Sequence, residues 1–360
     1  MLTLRHGGIK LKNNMGHKHG IDFKYVERLK HKRLPLIGDF ELTEMCNLRC
    51  VHCCVRSDKI DPSHKELNTK EVLNILGQMR RAGIVYLNLT GGEPLLRPDF
   101  KDIYLFAKKK NFAITVITNG TLITKEMVEF FKKYPPLMLE ISNYGITADI
   151  YESVTRMPGS FAMFQKALDM LKGSGVRFKV RVVVMKENYN EIIRKRKTIK
   201  ASGMNCGLAL PLILRRDRDR VKNEIIKKQR LSVKEVMEFF RKFPKDNIEA
   251  RKKRYSYFRY VDSCNCHTLG CTVLPNGALS MCHLIKKSKF NLRNVSFMEA
   301  WNSSYNGGLL SSRQDMACGN CEHKVYCKWC PGIAYLETGS TKAKIPYLCQ
   351  VMKMLCEKGG

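Results

Sequence analysis

Six short apolar runs, separated by segments with a helical period, constrain this chain more than anything else in it. The runs span Ile37 to Leu42, Ile84 to Leu89, Ala113 to Thr118, Leu137 to Ser142, Phe178 to Met185 and Cys206 to Leu210. Between the first two, Val72, Ile75, Leu76 and Met79 share one helical face, with Thr69 as the expected cap and Gly83 just past the end. Similar helical segments fall near 99–110, 124–133, 160–172 and 190–201. Strands alternating with helices imply an α/β fold with a parallel sheet, and six units make a partial barrel. In such architectures the chemistry gathers on loops that follow the carboxyl ends of the strands.

Those loops are where the polar residues stand. Cys46, Cys50 and Cys53 follow the first run, Gly91-Gly92-Glu93-Pro94 the second, Asn119-Gly120 the third and Ser142-Asn143 the fourth. Three thiolates are one short of the full cysteine set of an electron-transfer [4Fe-4S] cluster, which leaves one iron open for a ligand. An open coordination position marks a reactive metal site. The triplet by itself is equally compatible with zinc. After the second strand, glycine removes the Cβ that would hold a ligand away, and Glu93 offers an acceptor for an ammonium group.

The spacing Cys-x3-Cys-x2-Cys with aromatic His52 before the last cysteine, followed some forty residues later by Gly-Gly-Glu-Pro, resembles the radical S-adenosylmethionine (SAM) enzymes. The resemblance covers roughly Pro35 to Pro211 and implies a partial (β/α)6 radical SAM barrel. It also implies that Cys46, Cys50 and Cys53 hold a [4Fe-4S] cluster that binds SAM and reduces it to a 5′-deoxyadenosyl radical. By the same resemblance, Gly91, Gly92 and Glu93 hold the SAM amino group, and Asn119 and Ser142 line the cofactor, Ser142 near its ribose. Arg181 and Asn188 are further candidates for the SAM carboxylate and ribose. Cys54 departs from the pattern, since many relatives carry tyrosine there; it reads as a spare buried thiol.

Downstream, Cys266, Gly277 and Cys282 precede Cys318-x2-Cys321-x5-Cys327-x2-Cys330 and then Cys349. This order resembles the SPASM extension, a small cysteine-rich α+β domain with two auxiliary [4Fe-4S] clusters in radical SAM enzymes that mature peptides and proteins. Pro275-Asn276-Gly277 supplies its hairpin turn. The resemblance assigns Cys318, Cys321, Cys327 and Cys349 to the distal cluster, and Cys266, Cys282 and Cys330 to the nearer one, with Cys264 or Cys271 as fourth ligand. The interval between Cys327 and Cys330 is one residue shorter than the family usually shows. Cys206 and Cys356 read as buried or spare thiols, and His267 and His283 as neighbours that orient ligands.

The expected organisation is an N-terminal extension over 1–35, the barrel over 36–214, a basic bridge over 215–262 and the auxiliary-cluster domain over 263–360. In the bridge, a helix is expected over Leu231 to Phe243, and the run Arg215 to Arg220 reads as a solvated charge cluster. Fifteen cysteines without an apolar signal core or an eighteen-residue apolar stretch point to a cytoplasmic protein whose thiols serve metals. The net charge of +31 suits a substrate peptide, in particular one with an acidic leader. The short extension leaves no room for a leader-binding domain, so a separate leader-binding protein is a candidate partner, beside a low-potential electron donor such as flavodoxin or ferredoxin.

The expected activity is therefore oxidoreductive modification of a ribosomally made peptide or protein side chain. Side-chain modification of tetrapyrroles in the heme pathway and anaerobic sulfatase maturation are alternatives within the same chemistry. A zinc-dependent nucleic-acid-binding protein would suit the charge and the cysteine pairs, but it leaves the Gly-Gly-Glu-Pro loop and the strand-helix units unexplained. No catalytic acid or base is identifiable from these residues.

Overall fold

The computed structural model describes residues 33–55, 65–201, 205–208, 212–243, 268–286, 288–304, 318–323, 327 and 329–357. Strands β1 (Ile37–Glu41), β2 (Tyr86–Thr90), β3 (Ala113–Thr118), β4 (Met138–Asn143), β5 (Phe178–Val184) and β6 (Asn205–Leu208) pair in chain order, all parallel. Helices α1 (Thr69–Arg81), α2 (Phe100–Lys109), α3 (Lys125–Lys133), α4 (Ala148–Thr155), α5 (Ser160–Leu171), α6 (Lys186–Arg194) and α7 (Arg196–Ala201) make the crossovers. The expected alternation is present, with strand ends shifted by up to two residues.

Phe40, Leu87, Val116 and Leu139 on the sheet and Leu76, Met79, Tyr104 and Phe131 on the helices are fully buried in one core. Gly38 sits where the packing is closest: a Cβ there would lie 2.5 Å from the Met79 side chain. Helix α1 is capped by Asn68 rather than Thr69, because Asn68 and Glu71 close a reciprocal capping box. The Thr69 hydroxyl donates instead to Asp99 at 2.7 Å.

The first strand has a second partner. β7 (Gly270–Val273) pairs parallel to β1, and β8 (Leu279–Ser280) returns antiparallel, giving the order β6-β5-β4-β3-β2-β1-β7-β8. The turn at Pro275-Asn276-Gly277 is as expected, with Gly277 at φ 86° and its N–H donating to Leu274 O at 2.9 Å. Helices α10 (Phe297–Ser303), α11 (Pro331–Thr338) and α12 (Pro346–Glu357) complete the C-terminal region.

The bridge is more ordered than its composition suggests. It contains α8 (Arg220–Lys228), which charge-rich sequence concealed, and α9 (Val233–Lys242), capped by Ser232 and Glu235. Two of its arginines correct the expectation of a solvated run, since Arg215 and Arg216 are 6% and 7% exposed, while Asp217, Arg218 and Arg220 do face solvent. Arg216 Nη2 donates to Glu41 Oε2 on β1 at 2.8 Å and Arg216 Nη1 to His283 O at 2.7 Å. Arg230 pairs with Glu337 on α11 through both carboxylate oxygens. These long-range carboxylates offset the desolvation of the guanidinium groups. Among the described residues, no helix is long and apolar enough to cross a membrane.

Candidate functional site

The cysteine loop leaves β1 at the carboxyl end of the sheet and is held by backbone bonds to α4, Arg49 N to Thr155 O at 2.8 Å and Val51 N to Val154 O at 3.0 Å. The two glycines after β2 do something the sequence reading did not assign. A Cβ on Gly92 would lie 2.1 Å from Met45 O, and one on Gly91 would lie 2.5 Å from Thr43 O. Their bareness lets β2 press against the backbone leading into Cys46, and Gly92 N donates to Thr43 O at 2.7 Å.

The Glu93 side chain ties the ends of β2 and β3 together, and the Glu93 N–H donates to Met45 O at 2.8 Å in the loop after β1. It is fully buried and accepts from Thr118 Oγ1 and Asn119 N at 2.7 Å each and from Leu95 N at 3.1 Å. A carboxylate has roughly four acceptor directions, so these three leave one unfilled by the described residues. Burial pushes the Glu93 carboxyl up to about 7, against the hydrogen bonds, which hold it down. Asn119 continues the tie to the cysteine loop, with Nδ2 donating to Asn47 Oδ1 at 2.9 Å and lying 3.8 Å from Cys46 Sγ. Asn47 in turn donates to Thr121 Oγ1 at 2.8 Å. Asn47 and Thr121 were not among the expected residues; their position beside Cys46 and Asn119 was the available signal.

Cys46, Cys50 and Cys53 share one electrostatic neighbourhood, and burial pushes the Cys46 and Cys50 thiols up. His52 is enclosed beside Tyr144, ring centroids 5.0 Å apart, and burial lowers it to about 4, so it is neutral at pH 7. Its Nδ1 and the Tyr151 hydroxyl are buried without a protein partner. The Cys54 thiol is pushed up to about 11, chiefly by burial. Ser142 stays partly exposed on β4, whereas Asn188 spends its side chain on Met185 N, Tyr144 O and Val183 O. That full engagement turns Asn188 into a brace for the loop after β4. Arg181 lies on β5 in register with Ser142 and pairs with Glu140 at 3.0 Å.

A cavity of about 600 Å³ opens beside the loop, lined by Cys50, Cys53 and the cations Arg49, Arg156, Arg215 and Lys222. Four cations on one opening favour an anionic visitor. Sequence reading missed Arg49 and Arg156; the second ends α4 at φ 55°, a left-handed position.

In the C-terminal region, Cys318, Cys321, Cys327 and Cys349 line a single cavity of about 60 Å³ with His323 and Trp329. Trp329 Nε1 anchors that wall on Ala343 O at 2.9 Å. Cys282 and the Cys330 segment also meet: a Cβ on Gly332 would lie 3.1 Å from Cys282 Sγ, and Cys330 Sγ accepts from Ile333 N at 3.3 Å. Cys271 is buried on β7 beside Gly38 and Phe40 of β1, in register with Gly38. A Cβ on Gly38 would point at Met79 of α1, and residues in register on adjacent parallel strands share a face, so Cys271 lies on the helix-covered side of the sheet. Cys264 and Cys266, like His267, lie outside the described residues. Among the described residues, no three His, Cys, Asp or Glu side chains converge tightly enough for one metal ion.

The Radical SAM superfamily signature matches residues 40–198. This segment is a radical SAM domain. The family binds a [4Fe-4S] cluster and SAM. The chain is 28% identical to "AdoMet-dependent heme synthase" of Methanosarcina barkeri over 87% of this chain and 96% of that protein. It is 28% identical to "Mycofactocin maturase MftC" of Mycobacterium tuberculosis over 82% of this chain and 77% of that protein. The Streptococcus suis SuiB structure with precursor peptide SuiA superposes with TM-score 0.66 at 17% identity, covering 91% of this chain and 79% of SuiB. That likeness reaches beyond residues 40–198 into the cysteine-rich C-terminal region and shows a shared fold there.

Proposed function

We propose that this chain is a radical SAM/SPASM enzyme that modifies a ribosomally made peptide or protein side chain. The carrying observation is the tie through Glu93 and Asn119, which joins the Gly-Gly-Glu-Pro loop, the end of β3 and Cys46 into one rim. Cys46, Cys50 and Cys53 would hold the SAM-binding cluster; when bound, it supplies the electron that breaks the sulfonium and yields a hydrogen-abstracting carbon radical. Glu93 would take the SAM ammonium on its remaining acceptor direction, with Asn119 and Ser142 beside it. Glycines 91 and 92 hold that rim together. The ring of His52 packs on Tyr144 and holds that side of the loop in place.

The cavity containing Cys318, Cys321, Cys327 and Cys349 supports the reading of those four as distal-cluster ligands. Cys282 and Cys330 would serve the nearer cluster with Cys266. Cys271 faces the helix-covered side of β7, so Cys264 is the fourth ligand we favour. The cation-lined opening beside Cys53 is where a low-potential acidic donor such as flavodoxin would deliver electrons. A leader peptide, or a separate protein that binds one, would use the remaining basic surface. Thiols reserved for clusters support a cytoplasmic location.

The relatives' names frame the substrate. Mycofactocin maturase and SuiB, solved with its precursor peptide, favour peptide. A heme-pathway tetrapyrrole is the second reading, favoured by similarity spanning nearly all of the heme synthase. The test is anaerobic reconstitution followed by SAM, reductant and either a precursor peptide encoded beside the gene or a carboxylated porphyrin. Deoxyadenosine formed with the peptide, together with a mass change in it, is the expected result. Turnover with the porphyrin alone moves the assignment to the second reading.

A further inference from the structure

The barrel sheet has two unlike faces. Phe40, Leu87, Val116 and Leu139 meet the helices and are completely buried, while the residues alternating with them turn to the opposite face. On that face Asp39, Asn88, Thr90, Ser142 and Lys179 remain partly exposed and Arg181 is exposed. A parallel sheet packed on both faces would carry apolar residues there.

The most charged part of this inner face is a cluster on β4 and β5. Glu140 stands in register with Lys179, and Ser142 with Arg181. Glu140 is 8% exposed and divides its oxygens, Oε1 to Lys179 Nζ and Oε2 to Arg181 Nη2 at 3.0 Å. Two cations on one carboxylate leave a net positive charge. The Arg181 side chain is 54% exposed, and its contact with Glu140 uses only part of a planar fork of five donors. A half-buried ion cluster is weak evidence for stability, and its unfilled guanidinium edge has the geometry that binds carboxylates in bidentate fashion.

The SAM carboxylate is a poor candidate for that edge. SAM would chelate the cluster on the loop after β1, and β5 is four strand steps from β1 in the sheet order. Arg49, Arg156, Arg215 and Lys222 share a cavity with Cys50 and Cys53 and supply nearer cations.

We propose that Arg181, oriented by Glu140 and flanked by Lys179, recognises a carboxylate of the peptide substrate on the inner face of the sheet. The inference rests on the radical SAM reading and deepens it, by requiring an acidic side chain or a free C-terminus near the site of modification. An arginine contact of this kind favours the carboxylate over its neutral amide because the amide cannot offer two anionic acceptors.

The test uses photolabelling of the reconstituted holoenzyme with benzoylphenylalanyl-glycyl-glutamate and with its neutral counterpart, glutamine in place of glutamate and an amidated C-terminus. Tryptic mass spectrometry locates the label. The expected result is at least tenfold stronger labelling of β4 and β5 by the acidic peptide, unaffected by saturating SAM. Arg181→Gln abolishes the preference and Arg181→Lys keeps part of it. Equal labelling by the two peptides overturns the carboxylate site. Displacement of the label by SAM also overturns it, assigning Arg181 to the cofactor. Deoxyadenosine formation is measured on the same wild-type preparation, so a failure of the radical SAM reading itself is seen separately.

Discussion

Glu93 joins a structural role to its proposed role in taking the SAM ammonium. Its carboxyl, held at about 7 by burial, sits above its ordinary 4.5, so the folded apoprotein binds a proton that the unfolded chain releases between those values. The stabilising contribution is complete below about pH 4.5 and is lost as pH rises through 7, on the order of 3 kcal/mol. Urea midpoints of wild-type and Glu93→Gln apoprotein, compared at pH 4.5 and pH 8, should diverge by that sign: only the wild type loses this component. Arg216 presents the opposite case. Removing it in Arg216→Ala leaves Glu41 buried beside the cysteine loop without its counter-charge, and thermal unfolding should report a loss of about 3–5 kcal/mol. The glutamate was legible because a loop motif surrounds it; the arginine was not, because its partner stands far away in the chain and a run of charges ordinarily faces water.

Among the elements, strands were the readable part. Each apolar run lies close to a strand, since burial under helices demands β-branched and aliphatic residues at alternate positions. Helix α8 escaped notice because Lys and Arg cover it and only Asn223 and Ile226 are buried. The junction of the cysteine loop with the glycine turn was legible as a pair of motifs, but its mechanical meaning needed the structure. Gly92→Ala drives a Cβ into Met45 O, so the loop must shift. Reconstituted Gly92→Ala should lose the SAM-dependent change in the reduced cluster's electron paramagnetic resonance spectrum and at least tenfold in deoxyadenosine formation. Retention of both would show that the loop tolerates the displacement.

For the whole molecule, three clusters predict about twelve irons per reconstituted chain. The paired change Cys318→Ser and Cys349→Ser, taken from one cavity wall to the other, should bring the count to about eight without abolishing SAM cleavage. A count that stays at twelve would detach those cysteines from iron. The ligand pairing proposed for the C-terminal region is what the resemblance to the SPASM extension implies, whereas the side of the sheet that Cys271 faces could emerge only once β7 had a register. Ion pairs from the 215–243 segment, Arg216 with Glu41 on β1 and Arg230 with Glu337 on α11, tie it to the sheet and to the C-terminal helices.

The hairpin on β1 also sets a timetable for biogenesis. During synthesis the strand that bears the cysteine loop emerges early, but its outer edge stays unpaired until Gly270–Val273 leave the ribosome. Nascent chains stalled before that point would carry an open, adhesive edge next to unmetallated thiols. Holding iron delivery until the last third of the polypeptide has been made would keep the two hazards from meeting.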